Sequence, residues 1–346
     1  MNRNVIYAVG AAALFGASTP FAKLLTGDMP PVLLAGLLYL GSGLGLTLAR
    51  FIRDGGFIPS GLPKNEWPWL LGAIFFGGVI GPVALMFGLV STSGSTASLL
   101  LNLEAVLTAV IAWVVFKENA DRRIVLGMFA IVAGGIALGW QADSSTGSSF
   151  IGPVLVSLAC LCWAIDNNLT RKVSASDALF IAGIKGVIAG TVNTALAISL
   201  SATWPDVATL TATMVVGLVG YGVSLVLFVL ALRGLGTART GAYFSMAPFF
   251  GAAVALFVFS ETTSLAFWIA AALMGLGVWL HLTEHHAHEH VHEELVHEHE
   301  HSHDEHHQHG HESGGDASRK HSHLHTHFPM KHSHPHYPDV HHRHVH

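Results

Sequence analysis

Long apolar stretches separated by short polar turns run from residue 4 to residue 282 of this 346-residue chain. A helix needs about 20 mostly apolar residues to cross the hydrocarbon core of a bilayer. Turn residues such as Trp204-Pro205-Asp206 separate the apolar stretches. The pattern therefore predicts ten transmembrane helices, at 4–25, 32–51, 67–90, 95–116, 123–141, 151–171, 177–200, 212–232, 238–260 and 264–282.

The composition favours a membrane protein over a soluble one. The chain is 51% hydrophobic and 11% charged, and its mean hydropathy is +0.51. A soluble domain carries about 25% charged residues. We therefore expect an all-α integral membrane protein whose partners include the lipid bilayer.

One stretch of the chain occurs twice. The apolar segment that ends at Glu118, with Glu104 in its middle, aligns without gaps with Tyr243 to Glu261 at an offset of 143 residues. This repeat predicts two five-helix units, at 4–141 and 151–282. Because five is an odd number, the second unit must cross the membrane in the inverted orientation, as in many secondary transporters.

The positively charged residues lie on one side of the predicted topology. Ten Lys and Arg residues follow even-numbered helices, whereas Lys23 alone follows an odd-numbered one. Cytoplasmic loops carry the excess of Lys and Arg in membrane proteins. The bias predicts a multi-pass protein of the inner or plasma membrane with both termini in the cytoplasm.

Short signatures also match between the two units. The run Leu14 to Pro20 is echoed by Cys162 to Asn168, and the repeated segments end in Glu118 and Glu261. With these features the chain resembles the EamA-like branch of the drug/metabolite transporter superfamily over residues 4–282. The resemblance implies a ten-helix secondary carrier, often an exporter of amino acids, metabolites or drugs, with a central cavity lined by both halves.

The chain departs from the pattern of that family in two places. The proline usual in the fourth helix of a unit appears only in the second copy, as Pro248, whereas the first copy has Glu104-Ala105. The last 64 residues, 283–346, have no counterpart in the family.

Glu104 is the leading candidate for transport chemistry. It lies about nine residues, or roughly 13 Å, from the start of its helix, which is near the bilayer centre. A charge there costs at least about 2.5 kcal/mol on insertion scales. We expect either a proton-coupling or cation-binding carboxylate, or a structural link. Lys185, at similar depth, is a partner for Glu104 or for Asp166, in a static pair or in a gate.

Asp166 shares a helix face with Cys162 at a spacing of four residues. With Cys160 nearby, this group suits either a soft-metal site or the polar wall of a cavity. Glu118 and Glu261 are expected to be structural markers of the repeat. The residues predicted to serve the substrate or the coupling ion are Glu104, Asp166, Lys185, Asn102 and Asn167.

The tail, 283–346, differs chemically from the rest of the chain. Residues 281–346 hold all 25 histidines and carry a formal charge of −7, against +2 for residues 1–280. Such a composition cannot bury a core, so we expect disorder in the absence of metal. The alternatives to metal binding are a pH-sensitive solvated tail or a purification tag. The candidate ligands for Zn, Ni or Co are His286, His290, His297, His301, His303, His323, His325, His334 and His336.

The sequence leaves three functions open. The first is a secondary carrier of a small organic solute, with a tail that binds divalent metal; the resemblance implies that the carrier is an exporter. The second is a divalent-metal transporter, for Zn, Ni, Co or Mn, and the third a metal-binding membrane protein without transport. No metalloprotease, nucleotide-loop or catalytic-triad motif is present, so we expect no enzyme, no required cofactor and no nucleic-acid partner.

Overall fold

A computed structural model describes residues 3–115, 122–141, 150–173, 176–235, 237–283, 287–292, 295–301, 321–327 and 330–335. Ten apolar helical segments, here numbered as spans 1 to 10 in chain order, coincide with the ten predicted helices. Seven are long and apolar enough to cross a membrane, and three shorter ones lie at spans 5, 9 and 10. The prediction of an all-α membrane protein is confirmed for the described residues up to 283.

Six spans are continuous helices. These are span 1 (Arg3–Leu25), span 2 (Pro31–Asp54), span 5 (Arg122–Gln141), span 6 (Ile151–Val173), span 7 (Ala178–Ser199) and span 10 (Leu265–Leu282).

The other four spans are interrupted, and the interruptions follow the repeat. Spans 3 and 8 each contain a seven-residue π-helical segment, and the two segments are related by the predicted offset of 143 residues. Span 3 consists of a 3-10 turn (Lys64–Glu66), an α-helix (Trp67–Ala73), the π-helix (Ile74–Ile80) and a second α-helix (Gly81–Ser91). Span 8 consists of an α-helix (Val207–Val216), the π-helix (Gly217–Val223) and a second α-helix (Ser224–Leu235).

Spans 4 and 9 are each broken into two helices by a short turn. Span 4 comprises Gly94–Leu100 and Leu103–Val114. Span 9 comprises Thr237–Phe244 and Ala247–Phe257. The sequence predicted one continuous helix through each region, and the structure corrects this. In span 9 the break precedes Pro248, which lies in the first turn of the second helix. A proline is tolerated there because the N–H groups of the first turn have no partner within the helix.

Two helix ends illustrate how the sequence starts and stops the spans. Asp206 accepts hydrogen bonds from the backbone N–H groups of Ala208 (2.8 Å) and Thr209 (3.1 Å) at the start of span 8. Gly55, with φ of 65°, ends span 2 in the left-handed conformation that glycine adopts without strain.

Close helix contacts depend on small residues. A Cβ atom on Gly43 would lie 2.3 Å from the backbone nitrogen of Val187, so spans 2 and 7 meet backbone to backbone. A Cβ on Gly16 would lie 2.0 Å from the carbonyl oxygen of Ala247. Glycine at such positions lets membrane helices pack through direct backbone contact.

The tail contains four strands among its described residues. They are β1 (Ala287–His292), β2 (Leu295–His301), β3 (His321–His327) and β4 (Met330–Pro335), and they belong to a unit separate from the spans. β1 pairs with β4 and β2 with β3, both antiparallel. The His-x-His alternation has the two-residue period of a strand. Because a two-stranded pair is only marginally stable by itself, disorder without metal stays a prediction.

Candidate functional site

A cavity of about 130 Å³ lies between the two repeats. Spans 1, 2 and 4 of the first repeat and spans 6 to 9 of the second contribute to its wall. This volume is close to that of an apolar cavity of about 150 Å³ that binds benzene, so the space has the size of a small organic group. Its lining consists of Phe15, Tyr39, Ser42, Glu104, Trp163, Asp166, Asn167, Ala182, Lys185, Gly186, Tyr221, Ser224, Leu225, Phe228 and Phe244.

Glu104 reaches the cavity from the broken part of span 4. The break puts it in the first turn of the helix Leu103–Val114, where the helix dipole favours negative charge. The side-chain amide of Asn167 donates a 2.8 Å hydrogen bond to Glu104 Oε1 and lies 3.4 Å from the hydroxyl of Thr108. Among the described residues, Asn167 is the only side chain that donates to this carboxylate, and no cation forms an ion pair with it.

Asp166 and Lys185 form an ion pair across spans 6 and 7. The second carboxylate oxygen of Asp166 accepts a 2.9 Å hydrogen bond from the hydroxyl of Thr170. Only 7% of the Asp166 side chain and 12% of the Lys185 side chain are exposed. The sequence left Glu104 and Asp166 open as partners for Lys185, and the structure selects Asp166.

The π-helical segment of span 3 supplies acceptors to neighbouring spans. Pro82 has no N–H, so the backbone carbonyl of Gly77 lacks the donor that the π register would place at that position. The indole of Trp163 (2.9 Å) and the hydroxyl of Tyr39 (2.7 Å) donate to it instead. The side-chain amide of Asn193 donates to the next carbonyl, that of Gly78, at 3.1 Å. An interruption in one helix therefore orients two aromatic rings of the cavity.

Six aromatic side chains form much of the cavity wall. The ring of Phe15 has centroid distances of 6.0 Å to Trp163, 5.8 Å to Tyr221 and 5.4 Å to Phe244. Tyr39 lies 5.5 Å from Tyr221. Phe15 and Trp163 are the aromatic members of the signature that the two units share in their first helices, so the repeat brings these two rings together.

Most of this aromatic wall was not predicted from the sequence. Tyr39, Tyr221, Phe228 and Phe244 were not among the predicted site residues. The apolar pattern gave no signal for them, because an aromatic residue of a membrane helix suits a position facing lipid as well as one facing a cavity. The three glycines around Tyr221, at 217, 220 and 222, are a sequence sign of an irregular helix there.

Asn102 was predicted for the site, but it lies elsewhere. It is 2% exposed and is not part of the cavity lining. Its amide nitrogen donates to the carbonyl of Leu99 at 3.0 Å and lies 3.8 Å from the sulfur of Met274 in span 10. Its amide oxygen is buried and has no hydrogen-bond partner among the residues that the structure describes.

The structure does not assemble a soft-metal site around the two cysteines. Both are free and buried, and the thiol of Cys160 contacts the carbonyl of Leu100 at 3.6 Å. Within the part of the chain that the structure describes, no three His, Cys, Asp or Glu side chains come close enough to share a metal ion.

The predicted ligands of the tail fall partly within the strands. The backbone register sets His297 opposite His325, and His301 opposite His321. His290 and His334 lie in the other strand pair, where the backbone register pairs them with His332 and His288, respectively. His323 lies opposite His299. His286, His303 and His336 lie outside the described residues.

A link between the repeats on one side of the cavity involves Asp177. It precedes span 7, and its carboxylate binds Arg50 (2.8 Å) and Arg53 (2.7 Å) at the end of span 2. Partial burial acts to raise the pKa of Asp177, but the hydrogen bonds from Arg53 and Arg50 outweigh it and lower the pKa to about 2.

A second link lies at the opposite ends of the spans. The carboxylate of Glu261, after span 9, accepts hydrogen bonds of 2.9 Å from the backbone N–H groups of Gly94 and Ser95 at the start of span 4. Glu261 therefore caps a helix of the other repeat. Glu118, its counterpart in the first repeat, lies outside the described residues.

Comparison with known proteins agrees with this architecture. The chain is 27% identical over 287 residues, 79% of this chain and 84% of the other, to an uncharacterized transporter of Methanothermobacter thermautotrophicus. The uncharacterized transporter YyaM of Bacillus subtilis is 28% identical over 48% of this chain and 55% of its own length.

A solved crystal structure has the same fold. It superposes with a TM-score of 0.61 over 81% of this chain and 95% of the other, at 20% identity. The model of the EamA-like transporter family matches residues 2–140 and again residues 150–283, which are the two repeats. The chain therefore belongs to the EamA-like transporter family, within the drug/metabolite transporter superfamily.

Proposed function

We propose that the chain is a secondary transporter that exports a small organic solute, such as an amino acid, metabolite or drug, from the cytoplasm by alternating access. The cavity between the repeats, with Glu104 in its wall, is the observation that carries the proposal. Both halves line it, which is the place where inverted-repeat carriers bind their solutes. Export, a plasma-membrane location and cytoplasmic termini are part of the proposal.

The two links between the repeats support an alternating mechanism. The carboxylate of Asp177 holds the ends of spans 2 and 7 together, and that of Glu261 holds spans 4 and 9 together. By the order of the spans, these links lie at opposite ends of the cavity. Opening the cavity to one side requires one link to separate while the other stays closed.

The tail has a proposed role outside the permeation route. Its histidines follow span 10, so they lie on the cytoplasmic side in the proposed topology. We propose that they bind divalent metal as a sensor or a buffer, since imidazole suits Zn, Ni and Co. In the alternative, the metal is the cargo and the tail collects it.

The described part of the membrane domain favours the organic solute over the metal. Asp166, which would be a metal ligand, is occupied by Lys185. Glu104 has an amide neighbour, and among the described residues it belongs to no group of three His, Cys, Asp or Glu side chains that could hold a metal ion.

A transport screen in proteoliposomes tests the proposal. Purified full-length protein would be compared for uptake of amino acids, cationic drugs and divalent metals against empty liposomes. We expect an organic solute to move, and Glu104→Gln to abolish or uncouple the movement while the protein stays folded. Glu66→Gln, a carboxylate at the start of span 3 outside the cavity, is the matched control. Transport of divalent metal alone would contradict the proposal.

A further inference from the structure

We infer that the solute of this cavity is a small organic cation, with its positive charge at Glu104 and its apolar part among the aromatic rings. The inference rests on the proposed function, since it names the class of solute that the same cavity would carry. Two observations support it. The wall contains one carboxylate without a counter-charge, and several of its hydrogen-bond donors already donate to other groups of the protein.

The formal charges of the described lining residues sum to one net negative charge. Asp166 and Lys185 neutralise each other in an ion pair. Glu104 remains, and the side chain that contacts it is the neutral amide of Asn167. An unpaired carboxylate within the membrane is costly, and either a proton or a cationic solute removes that cost. A solute with one positive charge therefore completes the electrostatics of the cavity.

The aromatic wall suits the same kind of solute. Six rings line the cavity, and Phe15 packs against three of them at 5.4 to 6.0 Å between centroids. Aromatic faces attract cations such as ammonium groups within about 6 Å. They also bury the apolar body of an organic amine. A hydrated inorganic cation would gain nothing from this second contribution.

A solute carboxylate would find few donors in the wall. The ammonium of Lys185 is bound to Asp166, and separating the pair would leave a buried carboxylate unpaired. The indole of Trp163 and the hydroxyl of Tyr39 both donate to the carbonyl of Gly77. The hydroxyl of Ser224 donates to the carbonyl of Gly220 at 2.7 Å. The cavity should therefore prefer a cation to a zwitterion, and a zwitterion to an anion.

Three probes that share a benzyl group test this order. Benzyltrimethylammonium is a permanent cation, phenylalanine is a zwitterion and phenylacetate is an anion. Binding to the purified full-length protein would be measured by calorimetry in detergent, and uptake would be measured in proteoliposomes. We expect the cation to bind about tenfold more tightly than either of the others, because it alone gains the interaction with Glu104 without a buried carboxylate of its own.

Variants at one position separate charge from shape. Glu104→Gln should weaken binding of the cation by about tenfold or more. Glu104→Asp keeps the charge and should retain most of the preference for the cation. Glu66→Gln should bind the cation as the wild type does. If Glu104→Gln does not fold, the order of the three probes in the wild type and in Glu104→Asp still decides the question.

Specific results would overturn the inference. Phenylalanine or phenylacetate binding as tightly as the cation would contradict it, as would undiminished binding of the cation to folded Glu104→Gln. If phenylalanine or phenylacetate binds as tightly as the cation and is transported, the substrate class is wrong and the transport function stands. If none of the three probes moves and only divalent metal does, the proposed function fails as well.

Discussion

The ammonium of Lys185 binds the carboxylate of Asp166 and not that of Glu104, although all three groups line one cavity. The two acids therefore differ in role. Asp166 belongs to a pair that joins spans 6 and 7, whereas Glu104 stays available to a solute or a proton. Residue type alone does not predict which of the two acids pairs with Lys185.

The first prediction concerns the pair itself. Lys185→Ala should destabilise the protein by about 3–5 kcal/mol, because it leaves Asp166 buried without a counter-charge. The double variant Lys185→Ala/Asp166→Asn should regain much of that loss, since it removes both charges. Thermal unfolding in detergent measures the effect. Additive losses in the double variant would show that the two side chains are not coupled.

The second prediction concerns the approach of span 3 to Asp166. A Cβ atom on Gly77 would lie 2.0 Å from Asp166 Oδ2, so Gly77→Ala must displace the carboxylate. We expect a loss of about 1–3 kcal/mol from overpacking, and slower transport. The matched control is Gly72→Ala, whose Cβ would meet only the tip of the Leu169 side chain at 3.0 Å. Equal effects of the two substitutions on stability would argue against the displacement.

Most of the fold follows from the sequence. The apolar segments fix ten spans, and the offset of 143 residues relates the π-helical segments of spans 3 and 8. The breaks in spans 4 and 9 were not predicted. In span 4 the residues at the break are Leu101 and Asn102, and neither of them prevents a helix. The break in span 4 therefore depends on tertiary contacts, which the local sequence does not show.

Four of the five residues predicted for the site line one cavity, namely Glu104, Asp166, Asn167 and Lys185. Each puts a polar group into an apolar helix, which is costly in a membrane unless the group faces a cavity or a partner. Asn102 satisfies the same criterion but lies only two residues from Glu104. Asn102 lies in the turn that breaks span 4, outside the helix that contains Glu104, and it contacts span 10 instead.

The third prediction concerns pH. The pKa of Asp177 is about 2 in the folded protein, below its ordinary value of about 3.9. A lowered pKa stabilises the folded state above the unfolded pKa, and this contribution is lost as the pH falls through the folded one. Relative to wild type, Asp177→Asn should therefore be destabilised by a constant amount above about pH 5, and the difference should shrink between about pH 4 and pH 2.

The pH series needs a control carboxylate. Asp28→Asn, at an exposed position after span 1, should show no comparable difference from wild type. Thermal unfolding at each pH measures both variants. A constant difference for Asp177→Asn down to pH 2 would show that the links to Arg50 and Arg53 do not depend on its charge.

The fourth prediction concerns topology. Gly27 follows span 1 and Lys64 begins span 3, and both are exposed. With the proposed orientation, a cysteine at position 27 reacts with an impermeant maleimide from outside the cell, and one at position 64 reacts only after the membrane is opened. Cys160 and Cys162 are buried, which keeps their background low. Labelling of both positions from the same side would refute the proposed topology.

The last prediction separates the two proposed roles of metal through the tail. Neutral imidazole binds metal in competition with protons, so affinity should fall as the pH drops below about 6.5. With 25 histidines in residues 281–346, we expect several ions per chain in overlapping sites.

Deletion of 284–346 should remove most bound Zn or Ni and leave the spans inserted. If metal only regulates, the truncated protein still carries its organic solute, and added metal no longer changes the rate. If metal is the cargo, full-length vesicles move a divalent ion and truncation changes its apparent affinity. A tail that binds no divalent metal at neutral pH in calorimetry would exclude both roles, and its histidines would then act only through their own protonation.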